Sequence, residues 1–360
     1  MKKTVLILGA GASADFGYPT WWPLKEQLNE LKIQSFLTDI GGLDEAEIEA
    51  HKNAFEEFSL LAQKYPEYTL DHIIYEMDRP KEKHLAPTGH YVINIVGHLL
   101  AKCEVQVSEG RWITELQQVL VNYVAEAFNQ STPEHELNLL KNLTIISLNY
   151  DRTFEHFIRE GFYSKVVDHE GYQPQDLRQS ISFSRANFLQ ILQPHGYMCA
   201  LPAAHSNVKV GMLDNLATTG GEHAGIRTPG NVSPVAFGDN GILSSKAFLR
   251  MGRHMYVVNE QGYSDYSNTN AALRSAEEIY CLGLSSDGIC QSSLDFTEGQ
   301  KIYLSNAFED IEAINSVKAG PEYVSLGTNG ARLDASDFPK KFNELCLMRS
   351  ESKNLEQLLD

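Results

Sequence analysis

Short apolar runs that end in small or polar residues recur along this chain. Each run is four to seven residues long and rich in Ile, Leu or Val, which is typical of strands buried on both faces of a parallel sheet. The five runs cover residues 5–8, 143–148, 187–193, 278–284 and 301–304. Because helical patterns separate them, we predict an α/β fold in which a parallel sheet carries helices on both faces. Ligands of such sheets bind outside the carboxyl ends of the strands, so the residues directly after each run are the candidate functional residues.

A long stretch with helical periodicity separates the first two predicted strands. Apolar residues recur there at spacings of three and four, and the clearest segments are LKEQLNEL, EAEIEAHKNAFEEFSLLAQKY, GHYVINIVGHLLAKC and WITELQQVLVNYVAEAF. No strand pattern interrupts them, so we predict that residues 21–142 form a helical subdomain inserted into a sheet domain of residues 1–20 and 143–310. Residues 311–360 are predicted to be a C-terminal extension. Residues 203–245, rich in Gly, Thr, Ser, Asn and Pro, are predicted to form a long loop over the site.

The composition of the 360-residue chain is that of a globular protein, with 42% hydrophobic and 21% charged residues. Its formal net charge of −17 predicts repulsion of nucleic-acid phosphates, and no apolar stretch is long enough to cross a membrane. We therefore expect that the protein binds neither nucleic acid nor a membrane.

The five cysteines form no C-x-x-C pair, which favours free thiols in a reducing compartment and predicts no metal site. Lys2 and Lys3 precede an apolar run as in a secretion signal, but that run ends at Gly9, short of the roughly 7 residues that such a signal needs. We therefore expect a cytoplasmic protein.

The most informative segment follows the first predicted strand. Five small residues, Gly9, Ala10, Gly11, Ala12 and Ser13, lead from the strand into a helix start. Glycine lets the backbone turn tightly and approach phosphate oxygens, and the amides of a helix N-terminus attract negative charge. A strand, a glycine-rich turn and a helix in this order predict a Rossmann-like site for a dinucleotide, although the match to G-x-G-x-x-G is imperfect. The alternative is a tight turn that binds no ligand.

Polar residues also follow the other predicted strands. Asn149 and Asp151 follow the second strand, and His195 follows the third. Because the carboxyl ends of neighbouring parallel strands meet at one edge of a sheet, we expect these side chains to join the glycine-rich loop in one site. The ends of the later strands add three candidates for contacts to an adenosine ribose: Gly283, Ser285 and Asn306.

Three segments in this order, GAGASADFGYP, SLNYD and PHG, resemble the sirtuin superfamily, whose members bind NAD in a Rossmann-like sheet and break its bond between nicotinamide and ribose. The residues that match the glycine-rich loop of the family are Gly9, Ala10, Gly11, Ser13, Gly17 and Pro19. The N-x-D motif of the family corresponds to Asn149 and Asp151, and its catalytic histidine corresponds to His195. The resemblance covers roughly residues 1–20 and 140–310, and it implies that NAD is bound at these positions.

The chain departs from the pattern of the protein deacylases directly after the glycine-rich loop. Tyr18, Thr20, Trp21 and Trp22 stand where deacylases carry Ile, Asp, Phe and Arg, and the four zinc cysteines of those enzymes are missing from the sequence. With its helical insertion, the chain is instead similar to the bacterial sirtuin-like NAD hydrolases of anti-phage defence. This similarity implies that NAD is the substrate and that no metal is needed. It also implies a homo-oligomer that works with a partner, such as an ATPase or another defence protein.

The resemblance assigns the chemistry to two residues. Asn149 is expected to hydrogen-bond a ribose hydroxyl and hold the attacking water, and His195 is expected to accept a proton. Ser13 is expected to contact the phosphates, and Asp151 to fix its loop or cap the next helix. The alternatives are a helix cap for Asn149 and a packing role for His195. Two other functions stay open: a non-catalytic module that senses NAD or ADP-ribose, and an NAD-dependent protein deacylase.

Overall fold

A computed structural model describes residues 3–14, 16–78, 88–107, 113, 116, 143–157, 190–196, 198, 237–243, 255, 266–284, 294–305 and 321–325. Within them, six strands form one sheet, and every neighbouring pair is parallel. The strands are β1 Thr4–Leu8, β2 Leu143–Ser147, β3 Gln190–Leu192, β4 Glu278–Leu282, β5 Lys301–Ser305 and β6 Glu322–Ser325. The predicted α/β class with a parallel sheet is confirmed.

The order of the strands across the sheet is β3-β2-β1-β4-β5-β6. The chain builds outward from β1 through β2 to β3, and then returns to place β4 on the other side of β1. This is the strand order of Rossmann folds, and the direction of winding reverses between β1 and β4. In the register of the sheet, Leu8 of β1 is level with Ser147 of β2 and with Leu282 of β4. The loops that follow these three strands therefore start side by side.

The sheet extends further along the chain than the sequence pattern predicts. Each of the five predicted strands coincides with an observed one, but β6 lies in residues 311–360, which were predicted to be a C-terminal extension. Most of the predicted loop 203–245 lies outside the described residues. Of that loop, residues 237–243 are described, and they include a short 3₁₀ helix at Asn240–Leu243.

Most of the described helices lie between β1 and β2 in the chain. The helices are α1 Ala10–Ala14, α2 Trp21–Glu30, α3 Ile33–Ile40, α4 Glu45–Lys64, α5 Leu70–Asp78, α6 Gly89–Gln106, α7 Thr153–His156 and α8 Ser267–Ser275. The long helix α4 begins with a capping box, because the Asp44 side chain accepts from the Glu47 amide at 2.8 Å and the Glu47 side chain accepts from the Asp44 amide at 3.1 Å. The helix predicted at 112–128 lies outside the described residues except at 113 and 116.

The two faces of the sheet carry separate layers. Along β1, Leu6 and Leu8 belong to a core shared with buried side chains of α2 to α6, whereas Val5 and Ile7 belong to a core shared with α8. The helices that follow β1 therefore pack on one face of the sheet. Their organisation as an inserted subdomain stays a prediction. None of the described helices is both long enough and apolar enough to span a bilayer.

Candidate functional site

A cleft opens at the carboxyl ends of β1 and β2. The space that its walls enclose, open solvent included, is about 380 Å³. It is lined by Ala10, Ser13, Tyr18, Pro19, Trp21, Leu24, Leu100, Leu148, Asn149, Tyr150 and Asp151. Polar side chains from the two strand-end loops thus share the cleft with apolar and aromatic side chains from α2 and α6. This combination suits a ligand that has both a ring system and hydroxyl groups.

The glycine-rich loop after β1 packs against the end of β4. The Gly9 amide donates to the carbonyl oxygen of Leu282 at 2.8 Å, and the Gly11 amide donates to that of Gly283 at 2.9 Å. A Cβ atom on Gly283 would lie 2.1 Å from the Ala12 nitrogen, so the two backbones meet where no side chain fits. The Gly9 and Gly11 amides are therefore bonded to protein carbonyls in this structure. Contact of the loop with a pyrophosphate stays a prediction.

Asn149 joins the loop after β2 to the loop after β1. Its Nδ2 atom donates to the carbonyl oxygen of Gly9 at 2.8 Å and to Ser13 Oγ at 2.9 Å. Ser13 Oγ in turn donates to Asp151 Oδ2 at 2.6 Å. The structure thus brings together four of the predicted site residues from segments that lie about 140 residues apart in the chain.

Asp151 connects this network to helix α7. Its Oδ1 atom accepts from the Thr153 amide at 3.1 Å, so Asp151, which precedes the N-cap residue Arg152, satisfies one of the free amides at the start of α7. Thr153 Oγ1 donates to the Tyr18 hydroxyl at 3.0 Å, which extends the network to the wall of the cleft. Burial raises the pKa of Asp151, while hydrogen bonds from Ser13 and Thr153 act in the opposite direction and the nearby Glu104 raises it further.

His195 lies beside the network but does not line the cleft. It is 3% exposed, its Nε2 atom is hydrogen-bonded to the hydroxyl of Tyr266, and its ring lies 6.3 Å from that of Tyr150. Burial lowers the pKa of His195 to about 4, opposed in part by the Leu148 backbone, so the imidazole is uncharged at neutral pH. The sequence pattern does not predict Tyr266, which directly precedes α8.

We expect the free energy of unfolding to fall as the pH falls from about 6.5 to about 4. The pKa values of His98 and His195 are both lowered by burial from 6.5 to about 4, so in this window the unfolded chain binds protons that the folded protein does not. Each histidine contributes a loss on the order of 3 kcal/mol. Urea unfolding at a series of pH values measures the slope.

The variants His98→Gln and His195→Gln separate the two contributions, because glutamine does not titrate. Each variant is expected to flatten the pH profile by about half of its total fall. The raised pKa of Asp151 acts with the opposite sign, since the folded protein takes up that proton first as the pH falls. A profile that is equally steep in both variants and in the original protein would show that neither histidine is buried in its neutral form.

A buried ion pair fixes the helical layer to the loop after β2. Arg152 follows Asp151 directly, and its Nε atom donates to Glu104 Oε2 at 3.0 Å, with a second bond between Nη2 and Oε1. Both side chains are fully buried, and Glu104 Oε1 also accepts from the Gly238 amide at 3.2 Å. The sequence pattern does not predict this pair. The available signal was Glu104, an acidic residue between Cys103 and Val105 near the end of α6.

Replacing Arg152 by methionine is expected to lower the free energy of unfolding by about 3 kcal/mol, because it leaves the Glu104 carboxylate buried without its partner. The double variant Arg152→Met with Glu104→Leu is expected to recover most of this loss, because neither charge is then buried. The matched control is Arg274→Met, which breaks an exposed ion pair with Asp295 and is expected to cost less than about 1 kcal/mol. Equal losses in the two single variants would contradict a special role for the buried pair.

The remaining predicted site residues follow β4 and β5 in the sequence. Gly283 follows β4 with a φ of +62°, against the first turn of α1. Ser285 and Asn306 lie outside the described residues. Their contacts to an adenosine ribose stay predictions.

Comparisons with known proteins add no relative to this picture. No protein-family model and no curated protein matches the chain. The class of the protein is therefore defined by its own architecture, a Rossmann-like α/β fold with a polar cleft at the carboxyl ends of β1 and β2.

Proposed function

We propose that the protein is an NAD glycohydrolase, which converts NAD and water to nicotinamide and ADP-ribose. The observation that carries this proposal is the position of Asn149. Its carboxamide lies in the cleft at the ends of β1 and β2 and is hydrogen-bonded to the glycine-rich loop, the segment whose sequence resembles the NAD-binding loop of sirtuins. The strand order agrees, because dinucleotides bind outside the carboxyl ends of such sheets.

The reaction breaks the bond between the nicotinamide nitrogen and C1′ of the ribose. The bonding electrons leave with nicotinamide, which departs as a neutral molecule, and C1′ becomes cationic in the transition state. The oxygen of a water molecule then bonds to C1′, and one water proton is released. A carboxamide fixed next to C1′ lowers the barrier by orienting the water and the ribose hydroxyls before the bond breaks.

The environment of His195 favours a second candidate function, a module that binds NAD or ADP-ribose without cleaving it. A general base must reach the proton that it removes. His195 is buried, does not line the cleft and is bonded to Tyr266, and its lowered pKa makes it a weak base. In the hydrolase, Asn149 therefore carries the larger share of the mechanism, and the released proton passes to solvent.

The proposed biological role follows from the resemblance to sirtuin-like defence proteins. An enzyme that destroys NAD in the cytoplasm would stop the growth of an infected cell and with it the replication of a phage. Such an activity must be held off until infection. We propose that assembly of the protein into a homo-oligomer, or binding of a partner such as an ATPase or another defence protein, provides this control.

The test is to incubate the purified protein with NAD and to separate the products by chromatography. A hydrolase releases nicotinamide and ADP-ribose in equal amounts from NAD alone. A deacylase forms O-acyl-ADP-ribose and requires an acylated peptide. Binding of NAD without either product, measured by calorimetry with the same preparation, would leave two functions, the sensing module and a hydrolase that is held off until it assembles or binds its partner.

A further inference from the structure

The hydroxyl of Ser13 has a single proton, and its direction is settled by its neighbours. Ser13 is 7% exposed, and its Oγ atom lies 2.6 Å from Asp151 Oδ2 and 2.9 Å from Asn149 Nδ2. When Asp151 is ionised, its carboxylate only accepts hydrogen bonds, so the single Ser13 proton then points to Asp151. Toward Asn149, Ser13 is therefore an acceptor.

The second neighbour of the Asn149 carboxamide is also an acceptor. The Gly9 carbonyl oxygen lies 2.8 Å from Asn149 Nδ2, and a carbonyl has no proton to donate. The amino end of the carboxamide satisfies both neighbours at once. Rotating the carboxamide by half a turn would place Asn149 Oδ1 against two acceptors and lose both hydrogen bonds.

We propose that Ser13 and Asp151 are positioning residues, which hold the Asn149 carboxamide with its nitrogen toward the protein and its oxygen available to the ligand. Asp151 accepts the proton of Ser13, which leaves the Ser13 oxygen free to accept one proton of the Asn149 amino group. The Gly9 carbonyl oxygen accepts the other. The Thr153 amide holds Asp151 in place by donating to its other oxygen at 3.1 Å. This assignment differs from the phosphate contact that the sequence predicts for Ser13.

The proposal deepens the proposed function and rests on it for the identity of the ligand. With both Asn149 protons bonded to the protein, its side chain can offer the ligand only an acceptor, Oδ1. The group that faces Asn149 must then be a donor. In NAD hydrolysis, the ribose hydroxyls and the attacking water are such donors, whereas phosphate oxygens and the carbonyl oxygen of nicotinamide are not.

The first test needs no substrate and measures the Asn149 carboxamide by NMR in protein labelled with ¹⁵N-asparagine. Its NH₂ signals are assigned by their loss in Asn149→Asp. We expect slow exchange of these protons with solvent in the original protein and exchange faster by about tenfold in Ser13→Ala, because one of the two hydrogen bonds is lost. The matched control is Ser59→Ala, which removes a serine hydroxyl bonded to the Phe55 carbonyl on α4 and should leave the Asn149 signals unchanged.

The second test measures NAD turnover by the same variants. Ser13→Ala is expected to lower kcat by about tenfold with little change in KM, and Ser13→Thr, which keeps the hydroxyl, to restore most of the activity. Exchange that stays slow in Ser13→Ala would overturn the positioning role, whether or not the protein cleaves NAD. Faster exchange in a protein that never cleaves NAD would instead support the positioning role and overturn the hydrolase.

Discussion

NAD hydrolysis is expected to fall by about 10²- to 10³-fold when Asn149 is replaced by alanine, a loss of the size found when one fixed polar group that stabilises a transition state is removed. The reason lies in the place of the side chain. Asn149 lines the cleft, and its carboxamide is held by Gly9 and Ser13 at 2.8 and 2.9 Å, so it needs no reorganisation when the reaction begins. The rate of nicotinamide release at saturating NAD measures the effect.

The fold should survive this substitution. Asn149 is only partly buried, so water can reach the Gly9 carbonyl and Ser13 in its place. The matched control is Asn53→Ala on the exposed face of α4, which removes the same group from a residue that does not line the cleft and should keep full activity. If Asn149→Ala turns over NAD as fast as Asn53→Ala, the proposed mechanism is wrong and the search for the catalytic group moves to other residues of the cleft.

The strands of this fold were predictable because a buried parallel strand has a strong local signature. The run of Val5 to Leu8 and the run LTIIS of β2 are apolar without alternation, as strands covered on both faces must be. β6, with the sequence EYVS, was missed because it has only four residues and two of them are polar or charged. Its place in the sheet comes from pairing with β5, which local sequence does not record.

The order of the strands required more than local pattern. The sequence predicts which segments are strands, but the position of β4 beside β1 depends on how the chain crosses the sheet. The helices α3 and α5 lie within residues 21–142, which the sequence predicts to be helical, although its pattern does not single them out as separate segments. The apolar residues of each helix have helical spacing over fewer than three full turns.

The location of the candidate site could be predicted from the sequence, whereas most of its hydrogen bonds and ion pairs could not. The rule that ligands bind at the carboxyl ends of parallel strands was enough to group Ser13, Asn149 and Asp151. It did not predict that Ser13 bonds to the other two, or that Arg152 pairs with Glu104, because these contacts join residues far apart in the chain. His195 shows most clearly what local sequence does not predict. Its burial and its bond to Tyr266 depend on the packing of the loop after β3 against the start of α8.

Gly283, where the end of β4 meets the loop after β1, is a position where a very small substitution should strongly destabilise the fold. Gly283→Ala is expected to lower the free energy of unfolding by about 5 kcal/mol, or to prevent folding, because the new methyl group would overlap backbone atoms that have little room to move. Its Cβ would lie 2.1 Å from the Ala12 nitrogen and 2.4 Å from the Gly11 carbonyl carbon. Urea unfolding followed by circular dichroism measures the loss.

A control variant separates this overlap from the strain of the backbone itself. Gly283 has a φ of +62°, which alone disfavours alanine, and Gly299 has a φ of +79° but no atom within 4 Å of the place that a Cβ would occupy. Gly299→Ala should therefore cost only about 1 kcal/mol, the penalty of the left-handed conformation. A similar small cost at Gly283 would mean that the loops after β1 and β4 can move apart. The hydrogen bonds from Gly9 and Gly11 to β4 and its loop would then be weaker constraints on the cleft than their distances of 2.8 and 2.9 Å indicate.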